Sequence, residues 1–517
     1  MCSPSPRLSF PPILLSVSPQ LPVLGTVKAR IVDSMNMLRK QEMSGQRIID
    51  ISAASLVHAY SNSSSSIGTC QAIAAAISPA SSVYYPGSTN YTDDIEHFLE
   101  SSSQNSTCSV EPGSVDDVAI ILRLLGMNQT PFAVKGGGHS SNVGFSSTTG
   151  VQIAMTRFSE IVYNENSLTA DIGAGVRWED AYRVLNAINR TVCGARATGV
   201  GVAGQTLGGG VNWWSNQYGE TIDTVTAYEL VLPNGTVTTV TEANEDLFFA
   251  LKGIVTKFTF RTFEIGKIWA GELLIPGESQ DALNTAVANF FANTTDPKAT
   301  IVTQYRYLNS NLSFEITVFY DGPSPPAGIF DEILAIPNVQ GSPATLDFVE
   351  MLTFGTPAAS GTRFTFDDTE VQSFSKPFLD SIANETAFVG KTAETLSASL
   401  VMFMIWQNLP NYLSHGPESA WPADRSSFHA PINGWALWDD SSSDKAILAA
   451  LQAGSDRLAK IAISEGQNLT GASMYPNISP ADTPLKYMYG SHVQRLREIK
   501  YRYDPGNVMG LTGGFKF

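Results

Sequence analysis

The sequence predicts an α+β protein with more than one domain, and three observations predict it. The chain has 517 residues, more than one ordinary hydrophobic core accommodates. Up to about residue 265, segments with helical spacing of apolar residues alternate with short strand-like runs. From about 270 to 470 a second mix of strands and helices follows. In it, "IVTQYRYLNSNLSFEITVFYDG" reads as two strands around a polar turn, the pattern of an antiparallel sheet.

Each element has its own warrant. Residues 1–66 read as a poorly structured or mis-started leader, because "PPILLSVSPQLPVLG" is apolar but broken by prolines, unlike a signal-peptide core. Order begins near Cys70. In "PGSVDDVAIILRLLG", Ser114 caps a helix, Asp117 stands three residues on, and Gly126 is expected to close it. "PFAV" and "GVQIAM" read as strands, as does the glycine-bearing "LTADIGAGV". "WEDAYRVLNAINR" places Trp178, Ala181, Tyr182, Leu185 and Ile188 on one helical face. "TVTAYELVLPNGTVTTV" is a hairpin turning at Asn234-Gly235. "SDKAILAALQAGSDRLAKIAI" is an amphipathic helix, and the last segment is a helix ending in an Asp-Pro-Gly turn.

Composition excludes some functions. Lys and Arg number 32 against 48 Asp and Glu, a net charge of −16 that repels phosphate backbones, so no nucleic-acid partner is expected. No apolar run reaches 18 residues, so no transmembrane helix is expected. The four cysteines lack zinc-site spacing, and no metal is expected. Cys70 and Cys108 flank a Ser/Asn-rich region and are read either as a disulfide or as two buried thiols. Eleven Asn-X-Ser/Thr sequons, Asn477 among them, lean toward a secreted glycoprotein, although the N-terminus gives no clear signal.

Two glycine clusters carry the candidate site. The loop Gly136-Gly137-Gly138-His139-Ser140, with Gly144 following, comes directly after a strand. Glycines let successive backbone N–H groups converge on an anion such as a pyrophosphate, although a triple glycine alone reads equally well as a turn. The second cluster is "GVGVAGQTLGGG", residues 199–210, and two such loops in one region suggest a dinucleotide held from two sides. Neither matches the G-x-G-x-x-G fingerprint of a Rossmann site. His139, taken alone, is more often structural.

"PFAVKGGGHSSNVGFSS", "IGAGVRWEDAY", "GVGVAGQTLGGG" and "YGSHVQRLREIKYRYDPGNV" together resemble the berberine-bridge-enzyme-like group of FAD-linked oxidoreductases, in the vanillyl-alcohol-oxidase superfamily and most of all its fungal secreted members. The likeness runs from about Cys70 to the C-terminus. It implies a two-part PCMH-type FAD-binding domain over 67–266, a substrate-binding domain with an antiparallel sheet over 267–472, and a C-terminal segment over 473–517 that returns to the FAD domain. By resemblance, His139 carries FAD covalently, and a neutral imidazole suits that chemistry. Gly136, Gly137, Gly138, Ser140 and Gly144 match the pyrophosphate loop. Gly204, Gly208, Gly209 and Gly210 match a second flavin-lining segment, and Ile254 and Val255 a backbone contact to the flavin. Tyr475 and Asn477 match the Tyr-X-Asn element beside the ring, although Ile478 stands where an aromatic residue is usual.

The position of a second, cysteinyl link is Ala197 here, so a single histidyl link is expected. Val200 matches the gatekeeper, and valine is associated with oxygen access. The resemblance thus implies a monomeric oxidase that moves a hydride from an alcohol, carbohydrate or secondary metabolite to flavin N5 and reduces O₂ to H₂O₂, with Tyr475 as base. A tyrosine of ordinary pKa, about 10, needs a cationic or hydrogen-bonding neighbour for this. A dehydrogenase using another acceptor and a non-catalytic relative are the alternatives. Asp367-Asp368 and Asp439-Asp440 are further acidic candidates that surface loops explain equally well. The substrate itself has no legible motif.

One junction looks abrupt. In "DLFFALKGIVTKFTFRTF" only Gly253 separates a helical pattern from a strand pattern, where two to six residues are usual. Relatives typically carry about six more residues there. Either the reading frame lost them, or the chain lacks a flavin-lining loop and its site is weakened.

Overall fold

A computed structural model of the chain describes residues 66–354, 363–426 and 428–517. The leader, including Cys2 and Asn62, lies outside the described residues. Four- and five-stranded sheets occupy the first part. In the four-stranded sheet, β1 (Ser82–Tyr84), β2 (Cys108–Glu111), β3 (Phe132–Lys135) and β4 (Val151–Ala154) run in the order β1-β2-β4-β3, and β4 is parallel to both its neighbours. Helix α1 (Val115–Asn128) links β2 to β3. The Ser114 hydroxyl accepts the N–H of Asp117, as the sequence predicts. The helix runs two residues past Gly126, which does not end it: a Cβ there would press on Val508, so Gly126 serves packing. The Cys70–Cys108 disulfide is formed, with a Cα–Cα distance of 6.3 Å.

The five-stranded sheet is antiparallel. It contains β5 (Ile161–Asn164), β6 (Thr169–Gly173), β7 (Val225–Val231), β8 (Val237–Val240) and β9 (Ile254–Arg261), in the order β5-β6-β9-β7-β8. The β7–β8 hairpin turns at Asn234-Gly235 as expected. Helix α2 (Trp178–Asn186) buries Trp178, Ala181, Tyr182 and Leu185, but Ile188 lies past its end and is exposed.

The abrupt junction resolves in an unexpected way. Helix α4 (Glu245–Phe249), which follows the short α3 (Val202–Leu207), stops at Phe249, and residues 250–253 form a four-residue connection of ordinary length to β9. The helical pattern in the sequence runs three residues further than the helix does. Gly253 makes the turn at φ +146°, where a Cβ would collide with the Val231 carbonyl, so it cannot be replaced without moving β7.

The seven-stranded sheet is wholly antiparallel. Its strands are β10 (Ile268–Pro276), β11 (Ala299–Leu308), β12 (Asn311–Tyr320), β13 (Ala344–Leu346), β14 (Arg363–Val371), β15 (Ala398–Gln407) and β16 (Ala430–Trp438), in the order β13-β10-β12-β11-β15-β16-β14. Strand alternation divides its side chains between two cores. Ile301, Tyr305, Phe403, Ile405 and Ile432 pack with helices α5 (Gln280–Asn293), α6 (Lys376–Glu394) and α7 (Asp444–Ser464). Phe364, Phe366 and Trp406, on the opposite face, join the core of the first part together with Tyr475. The C-terminal helix α8 (Val493–Tyr503) packs Leu496 and Ile499 on Phe249 and Ala250, just before the Gly253 turn.

Candidate functional site

The two glycine clusters touch. A Cβ on Gly137 would collide with the Gly201 backbone, and a Cβ on Gly201 with that of Gly137, so only glycine at both positions lets the two loops approach this closely. Gly136, Gly138, Ser140 and Gly144 lie along the first loop, and Ser140 Oγ accepts the N–H of Asn142. The Asn142 amide donates to the Ser479 carbonyl at 2.9 Å, which ties this loop to the C-terminal segment holding Tyr475. The His139 ring stacks on Phe98 at 4.5 Å with planes 12° apart. Burial, helped by the Arg177 cation, lowers its pKa to about 4, so the imidazole is neutral near pH 7.

Across from this loop, Val200 precedes α3. Its carbonyl accepts the N–H of Trp178 at 3.0 Å. A Cβ added at Gly204, within α3, would meet nothing within 4 Å: this helix borders open space. Ala197 is exposed, while the Cys193 thiol lies in the core, its pKa raised by burial. Ile254 and Val255 sit in β9, paired with Val231 and Leu230, and are buried.

The second segment closes around Tyr475. Added Cβ atoms would meet the Asn477 side chain at Gly208, Trp421 and Glu220 at Gly209, and Thr221 and Gln205 at Gly210. Three N–H donors converge on the Tyr475 hydroxyl: Gly210 N at 3.2 Å, Val211 N at 3.1 Å and Asn477 Nδ2 at 2.8 Å. Asn477 Nδ2 also donates to the Gln205 carbonyl at 2.9 Å. Trp406 and Trp421 flank the Tyr475 ring at 5.7 and 5.1 Å. Ile478 is buried beside them.

Opposing influences act on the Tyr475 phenol. Burial and the Glu220 carboxylate raise its pKa; the Asn477 and Val211 donors and the Arg196 cation lower it. Glu220 is itself completely buried, and burial raises its pKa well above the usual carboxylate range. A protonated Glu220 exerts no charge repulsion, but burial, the largest influence, still holds the Tyr475 phenol well above its usual pKa, and the converging donors and the Arg196 cation offset that only in part.

The acidic candidates separate by strand parity. Asp368 and Glu370 share a face of β14 with Phe364 and Phe366. Asp368 Oδ2 accepts the N–H of Tyr475 at 2.7 Å. Burial raises the pKa of both carboxyls; the charge of Asp367 adds to it at Asp368, and those of Asp368 and Glu220 add to it at Glu370. Asp367 points to the other face, against Ser455 of α7, so it is not in the site. Asp439 and Asp440 are exposed after β16, and Asp440 caps a short helical turn, so neither belongs to the site. A cavity beside Tyr475 is lined by Val211, Glu370, Tyr412, Trp421 and His429. Phe98, Arg196, Glu220, Trp406 and Trp421 carried no sequence signal beyond their residue type. Only Arg196, a lone charge in a run of small residues, stands out in retrospect.

The cradle fits FAD. Its backbone N–H groups lie on close-packed glycine turns, space opens at Gly204, and the first loop carries a neutral imidazole. Residues 106–241, which hold both glycine clusters, match the model of an FAD binding domain. An uncharacterized FAD-linked oxidoreductase of Arthroderma benhamiae is 35% identical over 50% of this chain; the match spans 54% of that relative's length. A protein named FAD-dependent monooxygenase in Arthrobotrys oligospora is 30% identical over 79% of this chain and 81% of its own. The solved structure of wild-type Physcomitrella patens BBE-like 1 superposes with a TM-score of 0.69 at 21% identity over 86% of this chain and 97% of its own. Glucooligosaccharide oxidase from Acremonium strictum, described with a 6-S-cysteinyl, 8α-N1-histidyl FAD, superposes with a TM-score of 0.68 at 18% identity, over 87% and 98% of the two chains.

Proposed function

The chain belongs to a family of FAD-dependent oxidoreductases, and we propose from that premise that it is an oxidase of berberine-bridge-enzyme-like type in which Tyr475 takes the proton of a substrate hydroxyl or amine. The observation that carries this reading is the convergence of three N–H donors on the Tyr475 hydroxyl. They are fixed by the backbone before any substrate arrives, so they stabilise the developing phenolate without reorganising. FAD, when bound, would supply the hydride acceptor, with O₂ as the final oxidant. The Gly136–Gly137–Gly138 turn, Ser140 and Gly144 would hold the pyrophosphate, and Gly204 would leave room for the ring. Ile254 and Val255 would offer it their backbone, and His139 would be the point of covalent attachment. Val200 leaves oxygen access. A single link is supported by Ala197 at the cysteinyl position and by the burial of Cys193 in the core. The substrate is a small molecule, and the chain is read as a secreted monomer.

Tyr475→Phe is expected to slow flavin reduction by about 10²–10⁴-fold, with flavin content unchanged. Stopped-flow reduction at 450 nm measures it, and an unchanged rate removes Tyr475 as the base. His139→Ala is expected to release the flavin on acid precipitation. The name of the Arthrobotrys relative favours monooxygenation as a second reading. H₂O₂ formed one-to-one with product supports the oxidase; incorporation of ¹⁸O₂ oxygen into product supports the monooxygenase.

A further inference from the structure

Arg196 precedes the second glycine cluster and shares a neighbour, Trp406, with Tyr475. Its guanidinium lies 4.1 Å from the centre of the Trp406 ring and 5.8 Å from that of Trp213. Nη1 is buried and has no hydrogen-bond partner among the described residues. Other largely buried guanidiniums are paired: Arg425 with Asp223 at 2.7 Å, and Arg306 with Glu315. The chain has 16 more acidic than basic residues, yet among the described residues it sets none of them against Arg196; the titratable group that acts on this cation is the Tyr475 phenol. Burial lowers the Arg196 pKa to about 10, and the guanidinium remains charged near pH 7.

A partly buried guanidinium whose Nη1 lacks an acceptor carries a desolvation cost. Stacking on two indoles recovers part of that and leaves the planar N–H edge without an acceptor. A rigid fork of donors of this kind matches an anionic oxygen. The walls are aromatic: Trp406 on one side of Tyr475 and Trp421 on the other, which suits a planar group held against them.

We propose that Arg196 binds an anionic oxygen of the substrate, a carboxylate or an acidic phenol, and so sets the substrate class of the Tyr475 site. The inference rests on Tyr475 being the proton acceptor only for its consequence in turnover; the binding itself is tested without turnover.

The experiment is calorimetric titration of the purified, flavin-containing protein with benzoate, 4-nitrophenolate and the neutral benzamide. The wild type is expected to bind benzoate or 4-nitrophenolate at least about tenfold tighter than benzamide, the size of one charge-assisted hydrogen bond. The better of the two anions identifies the source of the oxygen. Arg196→Gln is expected to abolish the preference while leaving benzamide affinity within about twofold, and Arg196→Lys to restore part of it as a point charge. Thermal melts of both variants establish that they fold. Equal affinity for anion and amide, absence of anion binding, or a preference that survives Arg196→Gln overturns the proposal. So does a shifted pH profile of flavin reduction, or a lost flavin, with anion affinity unchanged, because Arg196 would then serve Tyr475 or the flavin. If Tyr475→Phe turns over normally, the proton-acceptor reading fails while the titration still decides Arg196.

Discussion

The two ends of the second glycine cluster look alike in the sequence and differ in what they make room for. At its start, Gly201 meets Gly137 of the first cluster backbone to backbone, and the space at Gly204 stays open. At its end, Gly208, Gly209 and Gly210 are filled against Asn477, Trp421, Glu220, Thr221 and Gln205. One end spares space for a ligand. The other spares it for the side chains that hold Tyr475. A glycine in a sequence reports that something comes close; it does not say what.

Substitutions that treat the two ends differently sharpen this contrast. The largest effect is expected at Gly209→Ala. Its φ is +105°, and the new methyl would lie 2.5 Å from Trp421 and 2.7 Å from Glu220. Backbone strain and overpacking together are expected to cost about 3–5 kcal/mol, read as a lowered urea midpoint. A midpoint unchanged from wild type would show that Gly209 is as open as Gly204.

A smaller effect is expected from the acidic pair that the strand splits. Burial raises the Asp367 carboxyl to about 6. Its folded form keeps a proton that the unfolded chain, titrating near 3.8, has already released. Stability from this group is therefore fully present below about pH 4 and is lost as pH rises through about 6. Asp367→Asn is expected to gain roughly 2 kcal/mol over wild type at pH 7 and nothing at pH 4. Equal gains at both values would remove the titration of Asp367 as the cause.

The smallest stability change is expected at Gly204→Ala. An alanine in α3 meets no atom within 4 Å, so the apoprotein should gain up to about 1 kcal/mol through the unfolded state. The same methyl enters the space assigned to the flavin, so the 450 nm absorbance per protein should fall. Full flavin content in this variant would place the ring elsewhere.

His139 gives a control on the first loop. Lowered to about 4, its imidazole stays neutral from pH 5 to 8, so covalent attachment on reconstitution with FAD is expected to be flat over that range and to decline below about pH 4. Attachment that rises between pH 6 and 7 would mean an ordinary, exposed histidine.

Much of the fold was legible. The Ser114 cap, the Asn234-Gly235 hairpin, the paired strands at 299–308 and 311–320, and the long helix over 444–464 all stand where local pattern puts them. Element ends were less legible, because what stops a helix is often a distant contact. Helix α4 ends at Phe249, where Phe249 and Ala250 pack under α8. Asp367 and Asp368 were indistinguishable as neighbours, and only the pleat assigned one to Tyr475 and the other to α7.

The sequence by itself determined the α+β class, the loop punctuation, the glycine clusters with His139 between strand and cradle, and, through their resemblance, the family. These are local properties, set by spacing and by residue type. Only the tertiary structure decided that residues 210 and 211 point their N–H groups at residue 475, that Asp368 rather than Asp367 supports it, and that Arg196 lies over the Trp406 ring with no ion-pair partner among the described residues. The reason is physical. Charge pairing, desolvation and hydrogen-bond convergence depend on distances between residues hundreds of positions apart, and a linear pattern carries no record of them.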